Sequence, residues 1–219
     1  MTHYTSPGTV TRLSSTGAVL GTQTVGTYPV AIAFDASGNG WVSNYGSGTV
    51  TKLSPSGTVL GTYVVPTSVP DPGGIAVDAA GNAWVAITDD SVVAKFSPTG
   101  TVLGTYTVGA GPTDVTFDAT GNLWVTLEGS GQIVKLSPAG AVLGTYAANA
   151  GPRHVVADRN GLIWTANTSA NVVTKLSASG AILGTFPVAG APQALAVDRN
   201  NAIWVTLGSG LNAVLKLAN

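Results

Sequence analysis

The chain has 219 residues, 44% hydrophobic and only 9% charged, with a net charge of −1. That composition excludes intrinsic disorder, and the near-neutral balance excludes a basic footprint for nucleic acid or an anionic membrane. No apolar run approaches the ~20 residues of a bilayer span, Met1 to Val10 holds no apolar signal-peptide core, and the lack of cysteine excludes disulfides and thiolate metal sites while leaving the compartment open.

In chain order the first predicted elements are two short runs, Thr9–Leu13 and Gly17–Val25. Beyond them a unit of about 40 residues recurs over 28–67, 70–108, 111–147, 151–188 and 191–217. Trp41, Trp84, Trp124, Trp164 and Trp204 mark it at spacings of 43, 40, 40 and 40 residues. An aspartate (Asp35, Asp78, Asp118, Asp158, Asp198) opens a Gly/Asn-rich turn before each tryptophan. A lysine (Lys52, Lys95, Lys135, Lys175, Lys216) lies on the run after it.

The third unit, GPTDVTFDATGNLWVTLEGSGQIVKLSPAGAVLGTYA, reads as four strands: A (VTFD), B (NLWVTL), C (QIVKLS) and D (AVLGTYA). β-Branched enrichment and period-two alternation argue for strands, and Asp-x-x-Gly-Asn and Ser-Pro-x-Gly supply the tight turns. No helical stripe with caps is present. A four-stranded unit every ~40 residues is the signature of a β-propeller blade. The expected fold is therefore all-β: one domain, 1–219, of five four-stranded antiparallel blades. The tryptophans are expected to pack between blades, the aspartates to cap their turns, and the lysines to hold their ammonium groups in water.

Strands A, B and D occur five times and C six times. The run 191–217 has no D of its own, so residues 9–25 are expected to complete its blade and close the ring, which hides the sheet edges. One C strand is then surplus. A monomer is expected, with a strand-swapped oligomer as the alternative.

The A–B and C–D turns barely change between units, whereas the D–A and B–C loops differ at almost every copy. Function on a rigid scaffold sits in such loops. They carry Asp71, Asp89, Asp90, Asp114, Glu128 and Arg153, together with Tyr28, Asn44, Tyr45 and Gln193. Carboxylates suit hard cations such as Mg²⁺ or Ca²⁺, which makes Asp71, Asp89, Asp90 and Asp114 the candidate metal ligands, set against solvated loop acids that bind nothing. The tyrosines and amides offer surface for a glycan or other small molecule.

The pattern GPxxVxFDxxGNxWVT followed by xVxKLSPxGxVLGTY resembles NHL-type propellers, in particular the bacterial repeats grouped with streptogramin B (virginiamycin B) lyase. Such proteins typically have six or seven blades, so five is a departure. The resemblance implies a bacterial, secreted or cytoplasmic relative, and a lyase site of histidines and a glutamate near Mg²⁺. His154, in GPRHVVAD, and Glu128, in LWVTLEGSG, are the candidate catalytic pair; the second histidine has no counterpart, since His3 lies in the N-terminal tail.

Two readings follow. One is a non-enzymatic propeller without a cofactor: a scaffold, or a module binding a protein or small ligand on its loop face. The near-identity of the repeats points to recent amplification or engineering. The other is a metal-assisted lyase on the same face.

Overall fold

The computed structural model describes residues 1–208 and 210–217, and every regular element longer than one turn is a β-strand. The chain divides into two compact units, Met1–Thr107 and Val108–Asn219, each with three antiparallel sheets of the blade type. In the first unit, β1 (Thr2–His3), β2 (Thr9–Leu13) and β3 (Val19–Thr24) form a three-stranded sheet. β4 (Pro29–Phe34), β5 (Gly40–Asn44), β6 (Thr49–Leu53) and β7 (Val59–Val64) form the next. β8 (Pro72–Val77), β9 (Ala83–Ile87), β10 (Val92–Phe96) and β11 (Val102–Thr107) form the third.

In the second unit, β12 (Pro112–Phe117), β13 (Leu123–Leu127), β14 (Gln132–Leu136) and β15 (Val142–Ala147) make one four-stranded sheet. β16 (Pro152–Ala157), β17 (Ile163–Asn167), β18 (Val172–Leu176) and β19 (Ile182–Pro187) make another. β20 (Pro192–Val197), β21 (Ile203–Leu207) and β22 (Ala213–Leu217) end the chain as a three-stranded sheet.

The expectation of five blades is thus corrected to six, four of them four-stranded. The strands read from the sequence are present and β1 is added to them, but their assembly differs. The sixth C strand is not surplus: β2 pairs with β3 and with the two-residue β1 in a sheet of its own. The physical reason is local. The Ser14–Ala18 turn is closed by Ser14 N–H donating to Ala18 O at 2.8 Å, while Ser14 Oγ accepts the N–H of Thr16 and of Ala18. A hairpin closed by so short a loop forms at far lower entropic cost than a pairing across most of the chain.

Turn chemistry sets each hairpin. In the A–B turn of β12–β13, Asp118 Oδ1 accepts the N–H of Thr120 (2.9 Å) and Asn122 (3.0 Å), and Gly121 takes φ +81°. The strand C to D turns follow one pattern: Ser137 Oγ accepts Ala141 N–H at 3.1 Å, with Gly140 at φ +88°.

The core lies between sheets. Trp41 packs against Ile75, Ala83 and Phe96 of the following sheet. Trp124 packs likewise on Val155, Ile163 and Leu176, and Trp164 on Leu195 and Ile203. Four of the indoles, Trp84, Trp124, Trp164 and Trp204, donate Nε1–H to the aspartate six residues upstream at 3.0 Å; Trp41 Nε1 is buried without a partner. The lysines differ from expectation. Their ammonium groups lie over the tryptophan rings, 4.3 to 5.2 Å from the centroids, and Lys52, Lys95, Lys135 and Lys216 stand 3.3 to 3.8 Å from the turn aspartates. At Lys52, Lys95 and Lys135, whose side chains are largely buried, the ring face and a carboxylate take the place of much of the water, whereas Lys216 stays half exposed.

Candidate functional site

In four of the blades the D–A and B–C loops are tied together by a backbone bond. Tyr45 N–H donates to Tyr28 O, Glu128 N–H to Gly111 O, Thr168 N–H to Gly151 O and Gly208 N–H to Ala191 O, all between 2.8 and 3.0 Å. In these blades the two variable loops therefore lie side by side at one end of the sheet. Ser209, in the last B–C loop, lies outside the described residues.

The acids of the first unit clamp these loops. Asp71 is buried, and its carboxylate accepts the N–H of Asp89 at 3.1 Å. Burial pushes the Asp71 carboxyl above the usual range and the charges of Asp89 and Asp90 push the same way, against the bond from Asp89 N–H. Asp90 Oδ2 accepts Val69 N–H at 3.1 Å in the long D–A loop, and Asp89 is exposed. Beside them an open groove of about 580 Å³ is lined by Val65, Pro66, Thr67, Ser68, Asp90 and Thr105. Thr67 Oγ1 is buried there without a partner.

Tyr28 and Tyr45 are exposed, and the Tyr28 ring lies 4.8 Å from that of Tyr4. Asn44 is not a surface group: it is fully buried, with Nδ2 donating to Thr51 Oγ1 at 3.0 Å and Oδ1 unpartnered. Its counterpart Asn167 receives the Thr165 hydroxyl on Oδ1 at 3.2 Å. Val42 stands where Thr165 does, so Asn44 lacks that donor.

In the second unit the geometry separates the expected pair and builds another. No hydrogen bond or ion pair joins Glu128 to His154 among the described residues, and the half-buried Glu128 carboxylate has none of its own. The carboxylate beside His154 is Asp114, with Oδ2 3.6 Å from Nδ1. That distance is too long for a hydrogen bond. Each group instead receives a backbone N–H from the next A strand: Val155 N–H donates to Asp114 Oδ2 at 3.0 Å, and Leu195 N–H to His154 Nδ1 at 3.3 Å. This strand-to-strand ladder escaped the sequence reading. Its signal is the third position of strand A, which reads Ala31, Gly74, Asp114, His154 and Ala194 and is polar only in two successive copies. Arg153 is exposed, and Gln193 is half-buried against Gly208.

These residues do not fit the Mg²⁺ or Ca²⁺ that the loop acids suggest. Among the described residues no three of His, Cys, Asp or Glu converge as a metal-holding group. Asp71, Asp90 and Asp114 direct carboxylate oxygens at backbone N–H groups instead.

A family model described as SMP-30/Gluconolactonase/LRE-like region matches residues 68–120. No curated protein matches the chain. Among solved structures, a streptogramin B lyase superposes with a TM-score of 0.84 at 20% identity, over 95% of this chain and 75% of that one. A virginiamycin B lyase from Staphylococcus aureus gives 0.83 at 16%, over 99% and 82%. A functionally unknown protein from Desulfotomaculum acetoxidans gives 0.80 at 11%, over 96% and 75%. At such identities the likeness is one of fold: the chain is an all-β propeller protein with blades like those of streptogramin B lyase.

Proposed function

We propose that the chain is a non-enzymatic propeller that binds its ligand through the paired D–A and B–C loops. One observation carries this reading: Asp71, Asp90, Asp114 and His154 each accept a backbone N–H and so serve loop and strand order. A general base needs a free lone pair at a reacting proton, and His154 Nδ1 does not offer one. The groove beside the long D–A loop, with Thr67 and Asp90 in its wall, is the surface such a ligand would use, with a protein, a glycan or another small molecule as the candidates.

The test is direct. The protein is incubated with quinupristin and Mg²⁺ and the mixture followed by mass spectrometry. No conversion is expected. Turnover that disappears in His154→Ala and Glu128→Ala would establish the lyase reading in its place.

A further inference from the structure

The A–B turns of the first three repeats share one chemistry. Their second position is alanine (Ala36, Ala79, Ala119) and their fifth is asparagine (Asn39, Asn82, Asn122). That asparagine braces the turn from within: Asn39 Nδ2 donates to Asp35 Oδ2 and Asn82 Nδ2 to Asp78 Oδ2, both at 2.8 Å. The turns of β16–β17 and β20–β21 depart from this pattern together. Their second position is Arg159 and Arg199, their third Asn160 and Asn200, and their fifth Leu162 and Ala202. The bracing amide is gone, and Arg159, Asn160, Arg199 and Asn200 are all exposed.

The two turns are also tied to each other. Asn201 takes the left-handed place, φ +64°, that Gly161 holds at +76° in the neighbouring turn. Glycine adopts that conformation without strain, and asparagine tolerates it while adding a polar side chain. Asn201 Oδ1 accepts the Arg159 backbone N–H at 2.8 Å, and Arg159 Nη1 donates to Arg199 O. The Arg159 guanidinium is thereby held beside the backbone of the second arginine.

No carboxylate neutralises the pair. Each arginine directly follows a turn aspartate, but those carboxylates are spent on their own blades. Asp158 Oδ1 accepts the N–H of Asn160 and Leu162 at 2.8 and 3.0 Å, and Oδ2 accepts the Trp164 indole N–H at 3.0 Å. Asp198 is engaged in the same way by Asn200, Ala202 and Trp204, and Lys216 stands 3.6 Å from it. Among the described residues neither guanidinium is in an ion pair, and the Asn160 and Asn200 side-chain amides make no hydrogen bond.

We propose that these two adjacent turns form a binding site for the phosphate group of a small molecule, with Arg159 and Arg199 as its charged donors, Asn160 and Asn200 as its neutral donors, and Asn201 holding the first turn against the second. The planar guanidinium fork matches the oxygens of a phosphate. A phosphate ester carries close to two negative charges at neutral pH, one for each guanidinium, where a carboxylate carries one. Its arrival relieves the repulsion between two cations that lack a counter-charge. The site lies at the end of its sheets opposite the D–A and B–C loops and does not rest on the function proposed for them.

The test is titration of the isotope-labelled protein with inorganic phosphate at about pH 7.5 and constant ionic strength, which separates a site from general screening. The backbone amide signals of Arg159, Asn160, Arg199 and Asn200 should shift and saturate below about 10 mM. Arg159→Ala and Arg199→Ala should each weaken binding about tenfold. Both restore the alanine of the first three turns, so the fold tolerates them. Asn201→Gly, which restores the glycine of the other turns, should weaken binding about threefold although both arginines remain. Absence of shifts at these amides, equal binding of acetate, or wild-type affinity in both alanine variants would each overturn the proposal.

Discussion

Trp124 Nε1–H donates to Asp118 Oδ2 at 3.0 Å, and Lys135 Nζ stands 3.3 Å from the same oxygen and 4.9 Å from the indole centroid. The carboxylate thus joins a turn, a core ring and a strand C cation in one blade. Because Trp124 is buried and the Lys135 side chain only 13% exposed, neither is fully solvated when Asp118 is lost. Asp118→Ala should cost about 3 kcal/mol in chemical denaturation at neutral pH. Asp198→Ala should cost clearly less, since Trp204 and Lys216 are exposed.

The same carboxylates set the acid limit. At Asp35, Asp78 and Asp118 burial pushes the carboxyl up, but the turn hydrogen bonds and the nearby lysine outweigh it and hold each group below 3.8. At Asp198 the bond from Trp204 leads, and the value falls to about 2. Folded values below the unfolded one mean stabilisation that is present above about pH 4 and lost as pH falls through the folded values. Melting temperature should therefore drop steeply below about pH 4.

Asp71 works in the opposite direction. Its folded value lies above the unfolded one, so its contribution is greatest at low pH and declines as pH rises through the folded value. Asp71→Asn, whose amide oxygen still accepts Asp89 N–H, should raise the melting temperature at pH 7 and leave it unchanged below about pH 4. A lower melting temperature at pH 7 would show that both carboxylate oxygens are needed at the loop.

Two turn glycines separate backbone strain from packing. Gly57 and Gly100 take φ +94° and +85°, but only Gly100 lies under a tyrosine ring. Gly57→Ala should cost about 1 kcal/mol, the price of a left-handed alanine. Gly100→Ala should cost about 1–3 kcal/mol more, because the Tyr63 ring has to move. Equal losses in thermal denaturation would place Tyr63 elsewhere in solution.

Trp204 is 39% exposed, whereas the other tryptophans are buried. Among the described residues the sheet β20–β22 holds three strands, and none of them brings an aromatic to cover the Trp204 ring. One emission component should be quenched by acrylamide and vanish in Trp204→Phe. Trp124→Ala should cost about 3–5 kcal/mol, and Trp204→Ala much less.

Most of the blade was legible in the residues. The aspartate-to-tryptophan spacing, the Gly turns and the alternation of LWVTL depend on neighbours a few positions apart, and the structure keeps them in place. The site was less legible. Glu128 and His154 read as a pair because the resemblance to streptogramin B lyase implies a histidine and a glutamate, yet strand register delivers Asp114 to His154 and aims both side chains at the next A strand. Asn44 read as a loop residue because it ends its strand, but the last residue of strand B points inward.

The repeating sequence by itself determined the strands, their order within a blade and the chemistry of every tight turn, because these rest on local φ preferences and period-two patterning. Only the tertiary structure decided that the first hairpin is a blade of its own, that the lysines lie on indole rings, and that Asp114 stands beside His154. Each of those outcomes depends on which sheets meet, and residues far apart in sequence reveal that only once burial has brought them together.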